Sequence, residues 1–321
     1  MQQPIKSLPK VTIVAPVFND WESVKFLLAE LSHLYSLNSL NIIRLILVND
    51  GSTEECDNKE LKSLFPISII ELNTNMGHQR SISIGLSYCN DHSEGENFII
   101  VMDSDGEDRP IDIENLLVEA NLHHNTIIFA KRQKRTEAMW FKGFYKLYKY
   151  GFKILTSHHL DFGNFSCIPS KLVPKVVSIP EIWNHYSGGM LKSRIPHKAV
   201  GTDRGERYAG TSKMNFHNLV LHGMSAISIY LDVMSVRLLI GALFCSVLVF
   251  FGVLTIVYLA LFTTIPIPGW SSVTGLILIT ILAITVLTTF LILLFQLNQK
   301  NIVRYPPKKF YKDFILSIKS V

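Results

Sequence analysis

The sequence predicts a doubly wound α/β domain with a mainly parallel sheet, followed by interfacial helices and a two-helix transmembrane hairpin. Three observations carry that expectation. Apolar, β-branched runs recur along the first 130 residues, each followed by a polar loop and then by an apolar-periodic stretch, as strands buried on both faces require. An acidic loop, Asp103-Ser104-Asp105-Gly106-Glu107-Asp108, leaves the end of one such run. From Leu238 to Gln299 there is no charged residue.

Val11 to Pro16 is the first strand, stopped by proline, and Val17 to Asp20 is a turn able to cap a helix over Trp21 to Leu34. Ile42 to Val48 is the second strand, with Asn49-Asp50-Gly51-Ser52-Thr53 as its loop. Ile67 to Leu72 leads through Asn75-Met76-Gly77-His78-Gln79-Arg80 into a helix near Ser81 to Tyr88. Phe98 to Met102 is the strand that delivers the acids, and Thr126 to Ala130 follows it. Strands and helices alternating in this way bring their loops to one sheet edge, where such folds bind ligands. Met139 to Leu155 interleaves apolar positions with Lys142, Lys146, Lys149 and Lys153, as expected of an interfacial helix, and Asn215 to Val236 has a similar character and runs into the hairpin.

Leu238 to Phe262 and Val273 to Leu297 are each 25 residues long. At the helical rise either one spans the roughly 30 Å hydrocarbon core. Basic residues flank the pair, with Arg204, Arg207, Lys213 and Arg237 before it and Lys300, Arg304, Lys308, Lys309 and Lys312 after it, while Thr263 to Ser271 carries no charge. The positive-inside rule then puts both termini in the cytoplasm, with Trp270 at the far interface. The expected divisions are a catalytic domain over 1–215, a juxtamembrane helix over 216–237, the hairpin over 238–297 and a basic tail over 298–321. Nothing at Met1 to Pro4 resembles the apolar core of a signal peptide. Cys56, Cys89, Cys167 and Cys245 have no metal-type spacing and read as small hydrophobes.

The 31 basic and 26 acidic residues give a net charge of +5, gathered near the hairpin, which suits an anionic membrane surface and not nucleic acid. No Gly-x-Gly-x-x-Gly follows the first strand and no Gly-x-x-x-x-Gly-Lys occurs, which argues against a dinucleotide oxidoreductase and a P-loop ATPase. Asp103 and Asp105, one residue apart at a strand end, can share a hard divalent cation, Mg²⁺ or Mn²⁺, whose remaining oxygen ligands a diphosphate would supply. Asp20 and Asp50 can accept hydrogen bonds from a base or ribose, and Gly51 lets the backbone come close. Lys131, Arg132 and Arg135, and Arg204, Arg207 and Lys213 nearer the hairpin, suit an anionic acceptor or lipid headgroups.

The loops Val14 to Asp20, Leu47 to Thr53, Asn75 to Arg80 and Asp103 to Asp108 resemble, in order and spacing, those of family 2 glycosyltransferases with the GT-A (Rossmann-like) fold. Arg207-Tyr-Ala-Gly-Thr-Ser-Lys213 ahead of a hairpin is similar to the polyprenyl-phosphate branch of that family. The resemblance implies that Pro16, Phe18 and Asp20 surround the nucleotide and that Asp50 meets its base or ribose, with Gly77 and Arg80 also on the nucleotide sugar. It places Asp103 and Asp105 at the metal and diphosphate, and Arg207, Ser212 and Lys213 at an acceptor phosphate, with Arg207 and Lys213 counted among the catalytic groups; Arg132 and Arg135 are added to the acceptor site as basic residues just after a strand. The chain departs from the family's pattern where Asp20 replaces a Glu, where a Gln after the paired aspartates is missing, where His78 replaces a Lys, and where Asn164 replaces an acid.

Sugar transfer with inversion needs in-line attack at the anomeric carbon and neutralisation of charge on the leaving diphosphate. A lipid phosphate is already an anion and needs no general base, so positioning does most of the work. The expected activity is transfer from a nucleotide sugar to polyprenyl (undecaprenyl or dolichyl) phosphate by an integral protein of the bacterial inner membrane. Membrane lipids are expected partners, and a homo-oligomer and a flippase partner are compatible with the reading. Its rivals are a glycolipid or polysaccharide acceptor and, from another class, a catalytically silent scaffold.

Overall fold

The computed structural model describes residues 8–132, 150, 153–154, 156, 162–210, 216–263, 269–302 and 304–321. They divide into two compact units. The first runs to Tyr145, resumes over His159–Ile229 and takes up the chain again at Arg304–Val321, and the second comprises Lys146–His158 and Tyr230–Val303.

The first unit is built on one eight-stranded sheet. Its strands are β1 (Lys10–Val17), β2 (Asn41–Asn49), β3 (Ile67–Leu72), β4 (Phe98–Val101), β5 (Ile127–Arg132), β6 (Ser166–Pro169), β7 (His197–Thr202) and β8 (Ile315–Ser320). They lie in the order β7-β5-β6-β4-β1-β2-β3-β8. The central run β4-β1-β2-β3 is parallel, as the continuous apolar strands predict, whereas β6 and β8 enter antiparallel. Successive residues of β1 serve opposite faces: Ile13 and Ala15 pack with α1 (Trp21–Ser36) and α3 (Asp112–Leu122), while Val14 packs with α2 (His78–Asp91). Helix α4 (Tyr186–Lys192) and Tyr311 lie on the α2 side, so the sheet is the middle of three layers.

Residues 304–321, expected as a tail, belong to the unit built on this sheet and supply its last strand. β8 pairs with β3, from Ser68 opposite Ser320 to Leu72 opposite Ile315. Just before it, Tyr311 is buried with its hydroxyl donating to Asp91 Oδ2 at 2.7 Å, and Phe310 and Phe314 pack on Trp183 with ring centroids 4.9 and 5.2 Å away. The aromatic and Ile positions, unremarked in a basic stretch, decide this placement.

Helix α5 (Phe216–Ser228) ends before the hairpin begins, so the amphipathic stretch does not run straight into the first apolar helix. The second unit contains α6 (Leu231–Phe262) and α7 (Trp270–Asn301), both longer than the expected spans. A Cβ placed at Gly252 would stand 3.4 Å from Leu278 Cδ1, so the two pack against each other. Only 6% of the most apolar window of each helix is buried, which is the opposite of a soluble core helix; both are long and apolar enough to cross a membrane. The interfacial helix expected over Met139 to Leu155 lies almost wholly outside the described residues.

Candidate active site

The acid loop is held by its neighbours from below and above. Met102 N–H still donates to Val14 O at 3.1 Å, and Ser104 Oγ donates to Pro16 O at 3.0 Å, so the β1 and β4 ends stay together as they leave the sheet. Beneath, the buried Asp108 accepts Asp103 N–H at 3.0 Å. Above, the segment after β7 closes over the loop: Tyr208 N–H donates to Asp105 O at 2.9 Å and Gly205 N–H to Glu107 O at 3.0 Å. Gly106 makes that closure feasible, because its φ is +92° and a Cβ there would meet the Tyr208 ring and Glu206 O at 2.8 Å.

That closure delivers Arg207. Its Nη1 lies 2.9 Å from Asp105 Oδ2, its Nη2 pairs with Asp20 Oδ2, and its Nε donates to Ala209 O at 3.0 Å. Asp20, Asp105 and Arg207, predicted from three separate motifs, therefore form one cluster. The Asp20 carboxylate accepts no backbone N–H of α1; its other oxygen accepts Ser23 Oγ at 2.6 Å. Phe18 is exposed beside it, and Asn19 ties the first loop to the second by accepting Thr53 N–H at 2.8 Å.

Asp50, expected to meet a base or ribose, holds the backbone of the third loop. It is buried and accepts Met76 N–H at 2.6 Å and Gly77 N–H at 2.9 Å, so it fixes the third loop. Burial raises its pKa against those same hydrogen bonds. Gly77, at φ +91°, starts α2, while Arg80 lies over the Trp183 ring at 5.6 Å, among the aromatics of the C-terminal segment. Arg132 reaches the acid loop, but with its guanidinium 3.2 Å from Glu107 and 3.3 Å from Asp108; Arg204 pairs with Glu107 as well. Arg135, Ser212 and Lys213 lie outside the described residues.

Negative charge is crowded here. Burial, then the Asp103 carboxylate, pushes Asp105 up to about 6 against the pull of Arg207. Burial and Asp103 likewise push Asp108 up to about 7 against Arg132. For His78, burial acts downward, but Asp103, Asp108 and Asp105 together win and raise it. The fully hidden Asp108 escaped the sequence reading because only the fold shows that it supports Asp103, although its place in an acid run was visible. His78 and Asn164, visible as departures from the family's pattern, meet at the same spot: Asn164 Nδ2 is 3.0 Å from His78 Nε2. Asp103, Glu107, Asp108, Arg132, Asn164 and Asp203, with Ala130 and Phe165, line a small cavity next to the acid loop.

Comparison with known proteins places the chain in a family. Residues 12–173 match the family model described as Glycosyl transferase family 2. The chain is 27% identical over 273 residues to "Uncharacterized glycosyltransferase YkcC" of Bacillus subtilis (strain 168), covering 81% of this chain and 80% of that one. It is 28% identical over 238 residues to "Prophage bactoprenol glucosyl transferase homolog" of Escherichia coli (strain K12), with 69% and 73% covered. It is 27% identical over 143 residues to "Undecaprenyl-phosphate 4-deoxy-4-formamido-L-arabinose transferase" of Enterobacter sp. (strain 638), with 43% and 41% covered.

Proposed function

Because the chain belongs to glycosyl transferase family 2, we propose that it moves a sugar from a nucleotide-sugar donor to polyprenyl phosphate at the cytoplasmic membrane surface, with inversion. The observation that carries the reading is the meeting of Arg207, from the segment that leads toward the apolar helices, with Asp20 and Asp105 of the donor loops. One site thus combines groups for a diphosphate with a cation from the membrane-proximal chain. The bactoprenol and undecaprenyl-phosphate relatives support the acceptor class.

Asp103 and Asp105 fit a divalent cation, since burial and then the neighbouring Asp103 carboxylate raise Asp105 to about 6, a cation relieves the cost of ionising it, and carboxylates are the hard donors such ions take. A bound cation supplies neutralisation of the leaving diphosphate. The chain's own residues do the rest. Asp20 and Phe18 edge the nucleotide position. Arg207 offers a planar fork able to exchange a carboxylate for a phosphate. Asp108 and Arg132 keep the acid loop rigid from beneath, and an acceptor already ionised requires no base.

Membranes containing the protein, incubated with a panel of labelled nucleotide sugars and polyprenyl phosphate, should incorporate label into a lipid-phosphate fraction. Label entering only a glycolipid would favour the rival acceptor, and no incorporation with any donor would favour the scaffold. Arg207→Ala and Lys213→Ala should raise the apparent KM for polyprenyl phosphate more than that for the donor. Loss of donor affinity alone in both would move the acceptor site to Lys131, Arg132 and Arg135.

A further inference from the structure

Residues 203–208 form a strap that leaves β7 and crosses the acid loop without a helix or strand of its own, and backbone meets backbone there. A Cβ at Gly205 would run into Gly106 O, as one at Gly106 would run into the Tyr208 ring. Tyr208 is the only aromatic or aliphatic side chain in the strap, which otherwise reads Asp-Arg-Gly-Glu-Arg. Its ring packs against the core on the α1 side of the sheet and stacks on Phe26 of α1, with centroids 5.9 Å apart and planes at 28°. Its hydroxyl bonds to the Glu30 side chain. Phe26 and Glu30, four residues apart, share one face of the helix, and both are exposed, Phe26 at 48%.

Arg207 and Tyr208 are neighbours that reach in different directions. Arg207 turns into the site, to Asp105 at 2.9 Å and to Asp20 just ahead of α1, while Tyr208 turns onto the outer face of that same helix. A guanidinium forks onto a carboxylate or a phosphate only when its plane is correctly set, and a small displacement of such a group costs a reaction far more than the contact itself. The ion pairs inside the site cannot provide that setting, because Arg207 must release a carboxylate to take a phosphate. The fixed point has to lie outside the site, and the stacked pair on α1 supplies it.

We infer that Tyr208 is a positioning residue, whose clasp on Phe26 and Glu30 holds the strap shut and sets the Arg207 guanidinium among the donor loops. The inference rests on the proposed reading of Arg207 as a phosphate-binding group. Tyr208 touches no reacting atom and acts through the backbone it shares with Arg207. The pairs of Arg207 with Asp20 and Asp105 can then open and re-form around a phosphate while the chain at residue 207 stays where Tyr208 holds it.

Trypsin cuts after Arg204 and Arg207, so its rate at those two bonds in the full-length protein in detergent reports how often the strap opens. Phe26→Ala leaves the cleaved sequence as it is, and circular dichroism checks that a change at this half-exposed position spares the fold. Cleavage in that variant should rise by about tenfold, the fold-change that one stacked aromatic pair is worth. Tyr208→Phe keeps the ring and should stay within about threefold of wild type. Unchanged cleavage in Phe26→Ala overturns the clasp. With the nucleotide sugar that labels lipid in the membrane assay, Phe26→Ala should raise the same KM that Arg207→Ala raises, by about tenfold, with kcat within about threefold of wild type. In the Arg207→Ala background it should add nothing, whereas a merely structural loss adds in both backgrounds. Additive effects, or a fall in kcat alone, overturn the positioning role. If no nucleotide sugar is turned over, the proposed function fails and the positioning role falls with it, while the cleavage rates still decide whether the clasp exists.

Discussion

Replacing Asp103 or Asp105 by Asn keeps shape and hydrogen-bonding capacity but removes negative charge from the centre of the site. Turnover should drop by several kcal/mol in transition-state stabilisation while the fold persists, which kinetics and circular dichroism on the same preparations would separate. Near-normal turnover in Asp105→Asn would remove that carboxylate from catalysis. The raised acids also make a signed prediction about pH. Asp105 near 6 and Asp108 near 7 hold protons in the folded state that unfolded carboxyls have already released, so between about pH 4 and 7 the folded state binds more protons. Stability from these groups is therefore present at low pH and lost as pH rises through the folded values, and the raised His78 acts in the same direction. The ligand-free protein should lose on the order of 2 kcal/mol between pH 5.5 and 7.5 in thermal unfolding. Stabilisation by added Mn²⁺ should grow over the same interval, since the cation needs the ionised forms. A melting temperature that rises with pH would contradict the burial of Asp108.

At the scale of elements, the parallel core was legible because β1 to β4 are near-continuous apolar runs, and Ile67–Leu72 matches its predicted strand end to end. That Asp20, Asp105 and Arg207 are worth singling out was legible from loop motifs, from a strand end for Asp105 and from the stretch ahead of the hairpin for Arg207, and the structure brings the three together. What sequence could not give was pairing between distant segments. β6 and β8 are short or half-exposed and carry no strong period, so their antiparallel entry depends on contacts with β4 and β3. Asp50 shows the same limit at a loop, since good turn chemistry does not reveal that its carboxylate turns inward to hold Gly77. The docking of β8 has measurable consequences. Tyr311→Phe removes the hydroxyl that binds Asp91 and should cost about 1 to 2 kcal/mol, whereas Tyr311→Ala should cost about 3 to 5 kcal/mol by emptying a buried site. Denaturant unfolding of both variants would read the difference, and equal, negligible costs would mean that the C-terminal segment is not part of the fold.

Across the whole molecule, the sheet unit owns chain on both sides of the apolar hairpin, up to Ile229 and again from Arg304. Two crossings would return a chain to the side it left, so the two long apolar helices among the described residues and the return to one sheet are compatible. With basic residues on that side, the reading puts both ends in the cytoplasm. A cysteine replacing Trp270 should be labelled by an impermeant reagent from outside intact cells, and one replacing Ser320 should not; the reverse pattern would invert the orientation. The order of synthesis then matters. Strand β8 is made after both apolar helices, so during translation β3 presents an unpaired edge until the hairpin has already emerged. A chain stalled or cleaved before residue 304 would keep every donor loop and yet leave that edge open, which makes completion of the sheet a record that the membrane segment has been passed.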